Sequence, residues 1–230
     1  MDTAIITGGS RGLGLALARD LVTDGWHVIL DGRDAAALAE AVTALGPAAT
    51  AVPGDVADAA HREALVAAAW KQGGLRLLVN NASVLGPTPL LRLRDLPVAD
   101  LEAIHRINVA GPLGLVQHAL PLLQAHEGSI VNVTSDAAVE GYEGWGSYGS
   151  SKAALEQLGN VLAVEEPGVR VWTFDPGDMR TRMHQDAFPG EDISDRPEPE
   201  TVVPALRRLM VDRPLSGRYR AVDLLAGAHR

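Results

Sequence analysis

The stretch Thr3-Ala4-Ile5-Ile6-Thr7-Gly8-Gly9-Ser10-Arg11-Gly12-Leu13-Gly14, continued by Leu15, Leu17, Ala18 and Leu21, decides how this chain folds. Residues Thr3 to Thr7 are apolar and β-branched, the pattern of a buried strand. The later leucines and alanine fall at helical spacing. Glycines at Gly8, Gly12 and Gly14 let the backbone between them pass close to a bound group. Strand, glycine turn and helix together make the unit that cradles a dinucleotide pyrophosphate, because the helix N-terminus offers free N–H groups and a favourable dipole. The first gap is wider than in G-x-G-x-x-G, so the context on both sides carries the reading.

Outward from that unit, strand and helix patterns alternate. Strands are expected at Trp26–Leu30, Thr50–Val52, Leu75–Val79, Ser129–Thr134, Val169–Phe174 and Tyr219–Leu224. Helices are expected at Ala35–Leu45, from a cap at Asp58 to about Trp70, from about Ala99 onward, behind Tyr148, and near Thr201–Met210. Pro112 should bend or restart the long helix that holds Asn108 and Gly111. This order predicts an α/β protein of Rossmann type: a doubly wound parallel sheet of about seven strands with helices on both faces, one domain over 1–230. Residues 183–200 are acidic and broken by proline, and read as a mobile surface segment placed to cover a substrate.

Composition narrows the function. Apolar residues are 47% of the chain, charged residues 21%, and the net charge is −9. A nucleic-acid surface would need a basic stripe that this balance does not supply. No apolar run reaches the length of a membrane span. With no cysteine and scattered histidines, no metal site is expected. The N-terminus enters a strand pattern at once, without a signal-peptide profile, and a soluble cytoplasmic protein is expected.

A second stretch carries chemistry. In Ser147-Tyr148-Gly149-Ser150-Ser151-Lys152, ahead of Leu155, Leu158 and Leu162, Tyr148 and Lys152 are four apart. On a helix they share one face. An ammonium beside a phenol should lower its pKa from about 10 and let it exchange a proton with an alcohol or carbonyl oxygen. Tyr-x-x-x-Lys alone also occurs on many helices as a packed tyrosine and a solvated lysine.

The ordered set Thr7-Gly8-x-x-x-Gly12-x-Gly14, Asp55-Val56, Asn80-Asn81-Ala82, Asn108, Ser135, Tyr148-x-x-x-Lys152 and Pro176-Gly177-x-x-x-Thr181 resembles the short-chain dehydrogenase/reductase family over nearly the whole length. The resemblance implies an oxidoreductase. Tyr148 would be the general acid or base and Lys152 would tune it and bind the nicotinamide ribose. Ser135 would hydrogen-bond the reacting oxygen, and Asn108 would hold a water linking Lys152 to solvent. The cofactor would lie along Gly8, Ser10, Arg11, Gly12, Leu13 and Gly14, then Arg33, Asp55 and Val56. It would continue past Asn81 and Ala82 to Tyr148, Lys152, Pro176, Gly177 and Thr181. A homodimer through the two long helices is implied; the chain's ending, without the family's Asp-Gly-Gly, counts against a homotetramer. Ser83 also departs from the family, which usually has glycine there.

Cofactor choice pulls two ways. Asp31 stands near the end of the second strand, where an acid holds a ribose 2′-hydroxyl. Its register is one residue early, and such a shift turns a strand side chain to the other face. Gly32 takes the acid's place, and Arg33 and Arg11 can converge on a 2′-phosphate. NADP(H) is therefore expected, with a small-molecule carbonyl or alcohol as substrate. A redox sensor without turnover would have no need of the acid. A sugar-nucleotide enzyme of the larger branch would need more room than the 55 residues after Asp175.

Overall fold

The structure, a computed structural model, describes residues 1–227. Its strands are β1 (Thr3–Ile6), β2 (His27–Gly32), β3 (Ala49–Pro53), β4 (Leu77–Asn80), β5 (Ser129–Val133), β6 (Arg170–Asp175) and β7 (Gly217–Arg220). They form one sheet in the order β3-β2-β1-β4-β5-β6-β7, every neighbouring pair parallel. The helices are α1 (Gly12–Thr23), α2 (Ala35–Leu45), α3 (Ala59–Lys71), α4 (Val98–His105), α5 (Gly111–Ala125), α6 (Gly146–Glu165), α7 (Arg182–Ala187), α8 (Val203–Asp212) and α9 (Ala221–Ala226).

The period-two alternation of β1 explains why helices cover both faces. Ala4 and Ile6 pack with Leu17 and Leu21 of α1 and Leu206 and Leu209 of α8. Ile5 faces the other way, against Leu65 of α3 and Leu115 and Leu123 of α5. A fully buried leucine or isoleucine contributes about 1.5–3 kcal/mol, so either face exposed would be costly. After β3 the chain returns to the other side of β1 and lays down β4. That reversal leaves a crevice beyond the C-terminal strand ends, the place where open α/β sheets hold ligands. Among the described residues no helix is long and apolar enough to cross a membrane.

Two expectations are refined here. The helix expected from Ala99 is two helices joined by a π turn at Arg106–Ala110, where the Gly111 N–H donates to the Arg106 carbonyl. Pro112 lies in the first turn of α5, where a missing N–H costs nothing. The strand expected at Tyr219–Leu224 is a correction: β7 ends at Arg220 and α9 begins at Ala221. Ala221, Leu224 and Leu225 are spaced i, i+3, i+4 and pack on the core as one helical face.

Residues 183–200 contain most of α7 and a short 3₁₀ turn beginning at Pro199. Ile193 and Pro199 are buried. The Arg180 N–H donates to the Pro197 carbonyl at 2.8 Å, Arg180 pairs with Glu198, and Arg196 lies 3.6 Å from Asp178.

Candidate active site

The glycine turn is bolted to the end of β4. Thr7 Oγ1 accepts from the N–H groups of Asn81 (3.0 Å) and Ala82 (2.9 Å), and the Asn81 amide donates back to the Thr7 carbonyl at 2.8 Å. Gly8 has φ +65°, and a Cβ there would stand 3.0 Å from Ala82 Cα. A Cβ on Gly14 would meet the Gly8 carbonyl at 2.6 Å, so this glycine lets helix and turn close together. Arg11 precedes α1 in extended conformation and makes no side-chain cap. The first-turn N–H groups of α1 therefore remain open to an anion, and the turn fits a pyrophosphate.

Asp31 is spoken for. Its Oδ1 accepts from the Gly8 N–H at 2.6 Å and its Oδ2 from His61 Nε2 at 3.1 Å, with both side chains buried. The carboxylate braces the turn, while Arg11 and Arg33 stand exposed on the rim of the crevice.

The crevice is a cleft of about 1160 Å³. One end is lined by Gly8, Ser10, Arg11, Gly12 and Leu13, with Arg33, Asp55 and Val56 beside them. Asn81, Ala82 and Ser83 form its middle. Ser135, Tyr148, Lys152, Pro176, Gly177 and Thr181 close the other end. Two residues expected at the site do not line it. Gly14 lies behind the turn, and Asn108 is buried under the loop after β4. Asn108 Oδ1 accepts from the Val84 N–H at 2.9 Å, and its amide donates to the Val84 carbonyl (2.9 Å) and Ser151 Oγ (3.0 Å).

On α6 the buried stripe runs Tyr148, Ser151, Lys152, Leu155 and Gly159, which turns phenol and ammonium toward the sheet. Lys152 Nζ donates to the Val133 carbonyl at 2.8 Å and sits 5.4 Å from the centre of the Tyr148 ring. Burial pushes the lysine down to about 8. The phenol moves opposite to the expectation. Its burial raises the pKa, the carboxylates of Asp136 and Asp175 add to that, and the Ser83 hydroxyl opposes them. Desolvation of a phenolate outweighs a cation held against the ring face. Ser83 Oγ is buried and makes no hydrogen bond of normal geometry. The Ser135 hydroxyl donates to Asp136 Oδ1 at 2.8 Å and accepts from the Ala137 N–H at 3.2 Å.

Sequence reading passed over Asp136, Asp175 and His61. His61 could have been found: with Leu65 and Ala69 it forms an i, i+4, i+8 buried stripe on α3. Asp175 stands directly before Pro176-Gly177, and its Oδ1 accepts the Gly177 N–H at 3.0 Å. Beyond Tyr148 the cleft wall combines apolar Leu85, Trp145 and Met183 with Asp136 and His184. Trp145 meets Tyr148 edge-on at 5.7 Å.

A glycine turn on a parallel sheet, leading to a buried Tyr–Lys pair beside a serine, defines a nucleotide-dependent oxidoreductase. The family model for short chain dehydrogenases matches residues 2–192. Serine 3-dehydrogenase from Agrobacterium fabrum is 37% identical over 187 residues, covering 79% of this chain and 73% of that one. A short chain dehydrogenase from Shigella flexneri superposes with TM-score 0.89 at 28% identity, covering 96% of this chain and 90% of the other. An alcohol dehydrogenase from the archaeon Thermococcus sibiricus, complexed with 5-hydroxy-NADP, has TM-score 0.86 at 25% identity, with coverage of 96% and 95%. The chain belongs to the short-chain dehydrogenase/reductase family and is an oxidoreductase that uses a nicotinamide cofactor.

Proposed function

We propose that this protein interconverts a carbonyl and a secondary alcohol on a small to medium organic substrate, with NADP(H) as cofactor and Tyr148 as general acid or base. The carrying observation is that Tyr148, Lys152 and Ser135 line the same cleft as the glycine turn. The first-turn N–H groups of α1 would hold the pyrophosphate, and Arg11 and Arg33 the 2′-phosphate. Asp55 and Val56 would lie by the adenine, and Asn81, Ala82, Lys152, Pro176, Gly177 and Thr181 would hold the remainder. When bound, the nucleotide supplies or accepts the hydride.

The chain's own residues handle the proton. In reduction, Tyr148 delivers its proton to the carbonyl oxygen. A phenol with a raised pKa is neutral and holds its proton at neutral pH, ready for that step. In oxidation the phenol must first be lost to phenolate, which the Lys152 ammonium and the Ser83 hydroxyl favour. Ser135 orients the reacting oxygen. The apolar part of the wall, Leu85, Trp145 and Met183, suits a hydrocarbon skeleton on the substrate.

The NADP(H) preference is supported by the two exposed arginines and by the commitment of Asp31 to Gly8 and His61. The test is Tyr148→Phe assayed on a panel of ketones and alcohols by NADPH absorbance. Turnover should fall by about a hundred- to ten-thousandfold, the usual general-acid contribution, while NADPH affinity stays near wild type. Retention of most of the wild-type rate would remove Tyr148 from the acid's role.

A further inference from the structure

Four elements meet behind the reacting end of the cleft, and one guanidinium joins them. Arg218 of β7 donates from Nε to Glu156 Oε1 at 3.1 Å, and from Nη2 to Asp175 Oδ2 at 2.8 Å. The same Nη2 reaches the Ser135 carbonyl at 3.3 Å. Glu156, one turn beyond Lys152 on α6, also accepts from the Thr134 hydroxyl at 2.6 Å. Asp175 uses its other oxygen for the Gly177 N–H. Arg218 thus touches the strand end that carries Ser135, the brace of the Pro176-Gly177 turn, and the helix that carries Tyr148 and Lys152.

The charges point the same way. The Asp175 and Glu156 side chains are only 7% and 13% exposed, and two such carboxylates side by side would be costly without a cation. Lysine could not replace this arginine contact for contact. An ammonium is a point charge, whereas the planar fork serves three acceptors at fixed angles.

We propose that Arg218 is a positioning residue for the reaction: it sets Ser135 and the Pro176-Gly177 turn in place relative to Tyr148, and screens the Asp175 carboxylate from the reacting end of the cleft. This rests on Tyr148 as the acid or base. The groups that face the phenol are Lys152 of α6, Asp136 after β5, Asp175 of β6 and the Ser83 hydroxyl after β4, with His184 of α7 beyond Phe188 and Trp145. Asp175 is one of the two carboxylates that raise the phenol, and Arg218 is its cation.

Arg218→Met and Arg218→Lys separate position from charge. In alcohol oxidation the rising limb of kcat/KM against pH reports the base. Arg218→Met should lower kcat by about ten- to a hundredfold, the range that small misplacements cost. It should also move that limb about one pH unit alkaline, the scale of one uncompensated neighbouring charge. Adding Asp175→Asn to Arg218→Met should bring the limb back toward wild type. Arg218→Lys should leave the limb in place yet still lower kcat. NADPH binding, followed by fluorescence without turnover, should weaken several-fold in both single variants as the Pro176-Gly177 turn loosens. An unmoved limb in Arg218→Met, or wild-type kcat and NADPH affinity in Arg218→Lys, would overturn the proposal. Arg218→Lys also keeps the test decisive if Arg218→Met does not fold. Failure of the Tyr148 reading is distinct, because it shows as turnover retained in Tyr148→Phe.

Discussion

Lys152 Nζ donates a hydrogen bond to the Val133 carbonyl across 2.8 Å, so the helix that bears Tyr148 is tied to the strand that ends beside Ser135. The tie buries an ammonium almost completely, and burial lowers its pKa from 10.5 to about 8. Below pH 8 both folded and unfolded chains hold this proton, and the full cost of burying the charge stands. Between about pH 8 and 10.5 the unfolded chain binds more protons, so this group makes stability rise with pH. The rise amounts to about 3 kcal/mol, at roughly 1.4 kcal/mol per tenfold change in proton affinity. Lys152→Met should lack it. Urea titrations of nucleotide-free protein from pH 7 to 10 give the comparison, and parallel curves for the two proteins would reject the account.

Asn108 supplies a second prediction. Its side chain takes both backbone groups of Val84 and so fixes the loop that carries Ser83. Asn108→Leu removes these partners and leaves a part-buried N–H and a part-buried carbonyl unpaired, at about 1 kcal/mol or more each. The variant should lose at least 2 kcal/mol or so of stability, with kcat reduced more than NADPH affinity. A urea midpoint within experimental error of wild type would show that the loop holds itself.

The inner strands were legible because each is a short buried run with a turn signal behind it, as in Thr3–Thr7 and Leu75–Val79. The residues lining the cleft were legible because their order along the chain is specific. What the sequence hid were contacts made across the sheet. Nothing local to Asp31 tells that His61, thirty residues on, meets its second oxygen. Nothing near Tyr148 tells that burial of its hydroxyl, with Asp136 and Asp175 adding to it, raises the phenol's pKa. The last strand was misread because Ala221-Val222-Asp223-Leu224-Leu225 is apolar enough for a strand, and only the spacing of its buried members separates the two readings. The π turn has no simple residue signature, although an asparagine in mid-helix already asked for a specific partner.

The segment 183–200 is expected to act as a substrate lid. It follows the Pro176-Gly177 turn directly, and Met183 and His184 face the cleft. Beyond the buried Ile193 and Pro199, its side-chain ties are surface ion pairs, Arg180 to Glu198 and Arg196 to Asp178, and such exposed pairs hold a segment by only about 0–1 kcal/mol each. Limited proteolysis in this stretch should slow several-fold once NADPH and a substrate analogue are both present. Equal cleavage rates with and without them would remove the lid from the mechanism.

The last prediction separates two accounts of cofactor choice. If Asp31 served the ribose, as acids at the end of β2 do in NAD-dependent enzymes, Asp31→Ala would weaken NADH binding and spare NADPH. The geometry points elsewhere, since Asp31 accepts from the Gly8 N–H and from His61 and so braces the turn. Asp31→Ala should then weaken both nucleotides by a similar factor and leave their ratio nearly unchanged. Arg33→Ala should do the reverse. A charge-assisted contact to phosphate is worth about 1.5–3 kcal/mol, so the kcat/KM ratio of NADPH to NADH should fall by about ten- to a hundredfold, with NADH itself little affected. Arg11→Ala should act in the same direction, and the double variant more than either. Ratios measured for wild type and the three single variants decide the matter. A wild-type preference for NADH, or a ratio that follows Asp31 and ignores Arg33, would place the ribose on the carboxylate.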